Sequence, residues 1–210
     1  AATSQPLVFV TGFNYLTPRF GPNRLIRTVL GNWTVGGMLR YASGALIPVP
    51  GSNNNLNSLI FQNTRMNRVS GQPLFTKDPG CKCIDPKKDF VLNRDAWVDA
   101  APGQFGVSAG YYNDYRWQRQ VTENVSLGRV FPIREKMAFE VRAEFFNLFN
   151  RLTLRMPTDF NNNPQATRTF NSFGEPAGGF GYINPTAAPA FNTSNNTYPR
   201  NGQIVLRFQF

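Results

Sequence analysis

Five aspartates crowd one stretch of this 210-residue chain: Asp78, Asp85, Asp89, Asp95 and Asp99. Paired carboxylates can hydrolyse glycosides, and a dense set of them can hold calcium. Here they interleave with Lys77, Lys82, Lys87, Lys88 and Arg94. That mixture reads as a solvated charged loop, and no EF-hand spacing is present. Two thiols, Cys81 and Cys83, lie in the same stretch. On a strand their spacing puts both on one face. A bond between them would be strained there, because a disulfide needs a close and specific Cβ geometry. One pair is also too few for a disulfide framework or a four-ligand zinc site. Two readings stay open: loop thiols, or an intermolecular disulfide to the cysteines of another chain. Farther on, Arg116, Trp117 and Arg119 accompany Tyr111, Tyr112 and Tyr115. Such a set stacks on bases or sugars, lines a membrane interface or packs within its own loop. "GQFGVSAGYY" is glycine-rich but lacks the strand, loop and lysine of a phosphate site. The chain has no histidine, which removes the commonest metal ligand and the usual general base at neutral pH. The expectation is a protein that is not an enzyme, with no cofactor and no metal.

Composition says what must position these residues. Hydrophobic residues make up 41% and charged residues 16%, while 19 Phe, 7 Tyr and 3 Trp are present. Ordinary soluble domains carry about 25% charge. Abundant aromatics with much Asn, Gly and Pro suit strands joined by polar loops, and disfavour helices. The net charge of +10 attracts anionic surfaces. Its Lys and Arg are scattered rather than blocked, which argues against nucleic acid. No apolar run is long enough for a membrane helix. The start, "AATSQPLVFV", lacks the basic and apolar regions of a signal peptide, so a processed chain or a piece of a longer one is expected.

Alternation of period two predicts strands at about 6–16, 31–44, 120–131, 135–149 and 202–210. The fourth is the clearest. Met137, Phe139, Val141, Ala143 and Phe145 share one face, and Glu140, Arg142 and Glu144 form the polar face opposite. In the third, Glu123 and Arg129 fall on the apolar side. The connections alternate in size. Residues 45–119 and 150–201 form two long loops, whereas Pro132–Arg134 is a short turn. Short turns at one end and long loops at the other is the rhythm of an outer-membrane β-barrel. The middle segments exceed the ~5–6 residues usual in globular proteins and reach the ~9–11 a tilted membrane strand needs. The expected fold is all-β, one barrel-derived domain over 1–210, with long antiparallel strands forming part of a barrel sheet.

"LGNWTVGGMLRYASGALIPV", "NRDAWVDAAPGQFG", "NVSLGRVFPIREKMAFEVRAEFFNLFNR" and the closing "PRNGQIVLRFQF" carry a further signal. In this order they resemble the C-terminal β-barrel part of Oar-like TonB-dependent outer-membrane receptors, the carboxypeptidase-regulatory-domain type. The resemblance implies a barrel of about 22 strands, a plug domain and a TonB box. It also implies energised uptake of siderophores, glycans or peptides. Ile204, Leu206, Phe208 and Phe210 match the family's terminal signal strand, which the barrel assembly machinery recognises. No plug, TonB box or carboxypeptidase-like domain can be found in these residues, and about five strands are present.

A five-strand sheet has two open edges, each a row of unpaired backbone groups. Its expected partners are identical chains joined by edge pairing, or the remainder of a receptor barrel. An outer membrane or anionic glycan surface is a further expected contact. The favoured reading is a structural subunit that self-assembles into an extracellular or cell-surface filament or ring. The alternative is a segment of an intact receptor. Both place the chain in or outside the outer membrane of a Gram-negative envelope.

Overall fold

The computed structural model describes residues 4–18, 23, 26, 31–52, 64–135, 137–157, 163–185 and 199–210. In chain order the strands are β1 (Val8–Leu16), β2 (Trp33–Ala42), β3 (Leu46–Pro48), β4 (Asn67–Arg68), β5 (Trp97–Val98), β6 (Tyr111–Arg116), β7 (Gln120–Arg134), β8 (Met137–Phe146), β9 (Thr169–Phe170), β10 (Pro176–Gly178) and β11 (Asn201–Gln209). The fold is all-β and antiparallel, as the alternation requires. It divides into two compact units.

The sheet unit comprises β1, β2, β7, β8 and β11, hydrogen-bonded in that order. Every neighbouring pair is antiparallel. Ala42 pairs with Gln120, and Asn201 pairs with Phe146. Both long connections therefore leave and return at one end of the sheet. The β7–β8 turn lies at the other end. Among the described residues β1 and β11 each bond to a single neighbour, so the sheet is open on two sides.

The short turn lies a little farther along than expected. β7 continues through Pro132 to Arg134, with a register shift between those two residues. A proline interrupts a central strand because it cannot donate to a neighbour. Here β2 stops at Trp33, opposite Arg129. Beyond Arg129 the second edge of β7 has no partner from β2, so Pro132 is tolerated. At its other end β8 stops at Phe146, and Asn147 turns with a φ of 51°.

The two long loops are not featureless. They fold into a unit drawn from Ala1–Pro6, Ser43–Arg119 and Leu154–Ala188. Its short ladders pair β3 with β6, β4 with β5 and β9 with β10. Ile47, Met66, Leu74, Val91, Leu92, Trp97, Tyr115, Trp117, Phe180 and Ile183 bury themselves in one cluster. Trp117 is fixed at both ends, its backbone N–H to Ala45 and its indole N–H to the Leu154 carbonyl at 2.7 Å. The rings of Trp97 and Tyr115 lie 5.3 Å apart. Burial pushes the Tyr115 phenol well above its ordinary pKa. The reading of residues 45–119 and 150–201 as long loops did not include this core.

Phe180 is fully buried there, and Gly181 beside it accepts from the Val91 N–H. Phe180→Ala is expected to destabilise the loop unit by about 3–5 kcal/mol. Hydrogen exchange should show lost protection at Val91 while the β7–β8 ladder keeps its own. Uniform loss in both units would show that they do not unfold separately.

Candidate functional site

The register sorts the sheet's side chains onto two faces. On one, Asn14, Gly36, Ser126, Glu144 and Gln203 form a continuous row across all five strands. The next row contains Thr34, Gly128 and Arg142, and the one after it Val130, Glu140 and Arg207. Glu140, Arg142 and Glu144 are thus brought onto one polar face with their neighbours. Arg142 Nε lies 3.0 Å from Glu144 Oε1, and Gln203 Nε2 donates to the other Glu144 oxygen. The Arg142 side chain lies over Gly128, where a Cβ would meet its aliphatic carbons at 3.2–3.3 Å. A shallow depression of about 220 Å³ opens here, lined by Asn14, Thr34, Gly36, Ser126, Gly128 and Glu140 among others. Mixed charges and amides on small-residue flooring can hold water and polar solutes. They do not form a nucleophile–base pair.

The other face carries Phe9, Phe13, Tyr15, Leu127, Val141, Phe145 and their neighbours. Phe13 lies across Gly37, where a Cβ would come within 2.7 Å of its ring. This face inverts the arrangement of a soluble sheet. Among the described residues of the sheet unit, Ala42 is the one buried apolar side chain, while Leu127, Phe145, Ile204 and Leu206 are exposed. Two of the buried side chains are charged, Glu123 and Arg129. Soluble proteins place these types the other way round.

Glu123 is only 1% exposed, and its carboxylate is fully engaged. Tyr41 Oη donates to it at 2.8 Å. Arg151 donates through Nε at 2.7 Å and Nη2 at 3.1 Å. The turn after β8 delivers that arginine. Asn147 accepts from the Arg151 N–H at 2.8 Å and donates to the Arg151 carbonyl at 2.9 Å. The Leu148 N–H bonds the Glu123 carbonyl. Arg129 is shielded differently, its guanidinium 4.8 Å from the Phe131 ring centre and 5.7 Å from that of Trp33. Sequence reading placed Glu123 and Arg129 on the apolar side and found no reason for them. The available signal was Asn147 four residues before Arg151, a spacing that lets one amide clamp both ends of a turn.

An apolar band on one face and a wet face opposite it is the wall of a membrane barrel. The family model described as outer membrane beta barrel domain matches residues 1–203. The chain belongs to that family. No curated protein and no solved structure matches it. No described helix is long and apolar enough to cross a membrane, and family members cross with strands.

In this outer-membrane β-barrel protein, Ile204, Leu206 and Phe208 stand on the apolar face, opposite Ala143, Val141 and Phe139. Phe210 follows the strand, 95% exposed, its ring 6.1 Å from that of Phe208.

The loop unit resolves the remaining chemistry. Cys81 and Cys83 are bonded to each other, with Cα atoms 5.2 Å apart. This corrects the expected bridge to another chain. A strand would hold such residues about 6.6 Å apart, at the far edge of the disulfide range; the turn here brings them to 5.2 Å, well inside it. Four of the five aspartates are occupied structurally. Asp78 and Asp85 accept from the N–H groups of Gly80 and Lys87, and Asp99 accepts from Ser52 and Gln165. Asp89 takes both Lys77 and the Asp85 N–H. Tyr115 and Trp117 are core, and Arg116 bonds the Ser4 and Gly44 carbonyls. Tyr115, Arg116 and Trp117 thus pack within the loop, while Tyr111 and Arg119 are exposed.

Burial alone would raise Asp89, but the Lys77 and Asp85 hydrogen bonds and the charges of Lys77 and Lys88 outweigh it and hold its carboxyl below the usual range. Its contribution is therefore complete above the ordinary Asp value of about 3.9 and is lost as pH falls through the lower folded value. Carbon-13 titration should find a midpoint below that ordinary value. Lys77→Ala should move it upward; an unmoved midpoint would remove Lys77 from the account. For the disulfide, mass spectrometry after alkylation should show no adduct without reductant and two with it.

Proposed function

We propose that the sheet is a sector of the wall of a receptor-type barrel, of the TonB-dependent, carboxypeptidase-regulatory-domain class that the sequence resembles. Its polar face lines the passage, and both long connections lie on the cell exterior. The proposed activity is energised uptake of a siderophore, glycan or peptide. The observation that carries this reading is the inverted burial of the sheet unit, with the unbroken row from Asn14 to Gln203 on its wet face. Ile204, Leu206, Phe208 and Phe210 then act as the signal strand for assembly. The net positive charge suits contact with anionic glycans at the surface.

A second reading has one observation in its favour. β1 and β11 are nine residues long and each has an open edge. Identical chains joined at those edges would form a cell-surface ring or filament.

Leu127 and Gln203 test the wall directly, since they point to opposite faces. Leu127→Arg should cost about 2–4 kcal/mol of stability in lipid vesicles if it faces mid-membrane, and Gln203→Arg about 1 kcal/mol or less. Denaturant unfolding of the membrane-inserted protein measures both. Equal small effects would sink the wall assignment. Receptor activity is tested separately, by uptake in cells with and without a protonophore. Uptake that ignores the protonophore rules out an energised receptor, and envelope filaments of this chain alone would support the second reading.

A further inference from the structure

We propose that Arg94 and Arg168 form an oxyanion site on the loop unit, for the carboxylate or phosphate of a ligand whose next group rests against Phe170. The site stands apart from the receptor-wall reading, because every residue in it belongs to the loop unit.

Two segments build the site by passing each other in opposite directions. Arg94 opens a single 3₁₀ turn, Arg94–Ala96, capped by Asn93. Its Nε donates to the Pro164 carbonyl. Phe90 lies four residues before Arg94, and Arg168 lies four residues after Pro164. The Arg168 guanidinium sits 4.4 Å from the Phe90 ring centre. These two contacts bring one arginine from each segment to a common crossing. The backbone at Arg168 is held from a third side. Gly179 has a φ of 107°, and a Cβ there would come within 2.9 Å of the Arg168 Cα.

The chain itself leaves this pair of cations uncompensated. Among the described residues neither arginine forms an ion pair. The Arg168 Nε is buried and has no hydrogen-bond partner, which is rare for a buried donor. Burial lowers the Arg168 pKa, the charge of Arg94 lowers it further, and Asp95 opposes both. Arginine nevertheless stays charged at neutral pH, so the folded chain carries the penalty.

Arg68 shows which group is missing. Its guanidinium stacks on Tyr112 at 5.0 Å, and Asp114 closes its fork with bonds of 3.1 and 2.6 Å. Arg168 has the same kind of stack without the carboxylate. A guanidinium fork matches the paired oxygens of a carboxylate or phosphate, and a ligand supplies them from outside. Phe170 adds an apolar surface beside the fork. Its ring meets Phe90 edge-on at 5.8 Å and is 57% exposed. A few placed polar groups next to aromatic surface is the usual make-up of a small-ligand site.

Nuclear magnetic resonance of the arginine Nε–H signals tests this in the full chain in lipid nanodiscs. The probes are galacturonate, glucose 6-phosphate and glucose. At least one of the two anions should shift the Arg168 signal to saturation, and glucose should not. The tighter anion identifies carboxylate or phosphate as the group recognised. Arg94→Gln, read at Arg168, and Arg168→Lys, read at Arg94, should each weaken binding about tenfold or more, the loss of a charge-assisted hydrogen bond. Asp95→Asn removes a repelling charge from an exposed position and should tighten it. Signals that neither anion moves, or that glucose moves equally, overturn the proposal. So does an anion affinity that both arginine variants leave unchanged. Each of these results leaves the wall assignment of the sheet untouched.

Discussion

In a hydrocarbon layer an unpaired N–H or C=O group costs several kcal/mol, and no water is present to take the partner's place. The form of the sheet unit follows from that constraint. Its strands run nine to fifteen residues, long enough for each ladder to cross a membrane without a break. The bulge at Pro132 falls where β7 has already outrun β2, so the missing donor interrupts no ladder on that side. Glycines serve close approach rather than turning. Gly37 lies beneath Phe13 and Gly128 beneath Arg142, which lets large side chains lie flat along the sheet.

The same constraint explains the two charges on the apolar face. An isolated carboxylate there would carry a large desolvation penalty. Glu123 avoids it by receiving three hydrogen bonds from Tyr41 and Arg151. The arrangement needs no distant element, because the turn at Asn147 brings Arg151 back over the strand that holds Glu123. Arg129 is covered by aromatic faces instead, where ring quadrupoles stabilise a cation. Removing one member of such a buried set usually does more harm than the set does good, because it strands a charge.

Strand positions were legible because the period-two pattern is itself the physical cause of a two-faced sheet. The five long strands fall within a few residues of the expected ranges. Glu140, Arg142 and Glu144 were legible for the same reason. Three things were hidden, two of them resting on residues far apart in sequence and one on a local turn. The β7–β8 turn shifted because the tolerance of Pro132 depends on where a neighbouring strand ends. The cysteines pair with each other because a turn, not a strand, sets their separation. The second core was hidden because Ile47, Trp117, Phe180 and Ile183 come from both long connections, and no local period joins them.

That second core bears on how ordered the long connections are. A long loop without structure loses its freedom when it binds, and affinity falls accordingly. Here the ordering has already occurred. Asn171 alone fixes the turn around Phe173, accepting from the N–H groups of Phe173 and Glu175 while bonding the Glu175 carboxylate through its own amide. Lys87 reaches the same carboxylate from the charged segment at 3.3 Å. Phe173 is thereby held out with 86% of its surface exposed. Val107 is likewise set by the bond from its N–H to Asn67. An apolar group held in the open by polar bonds behind it loses little backbone freedom on contact. Lys87, from the segment that first suggested chemistry, therefore acts here on shape: it braces the turn that holds Phe173 in the open.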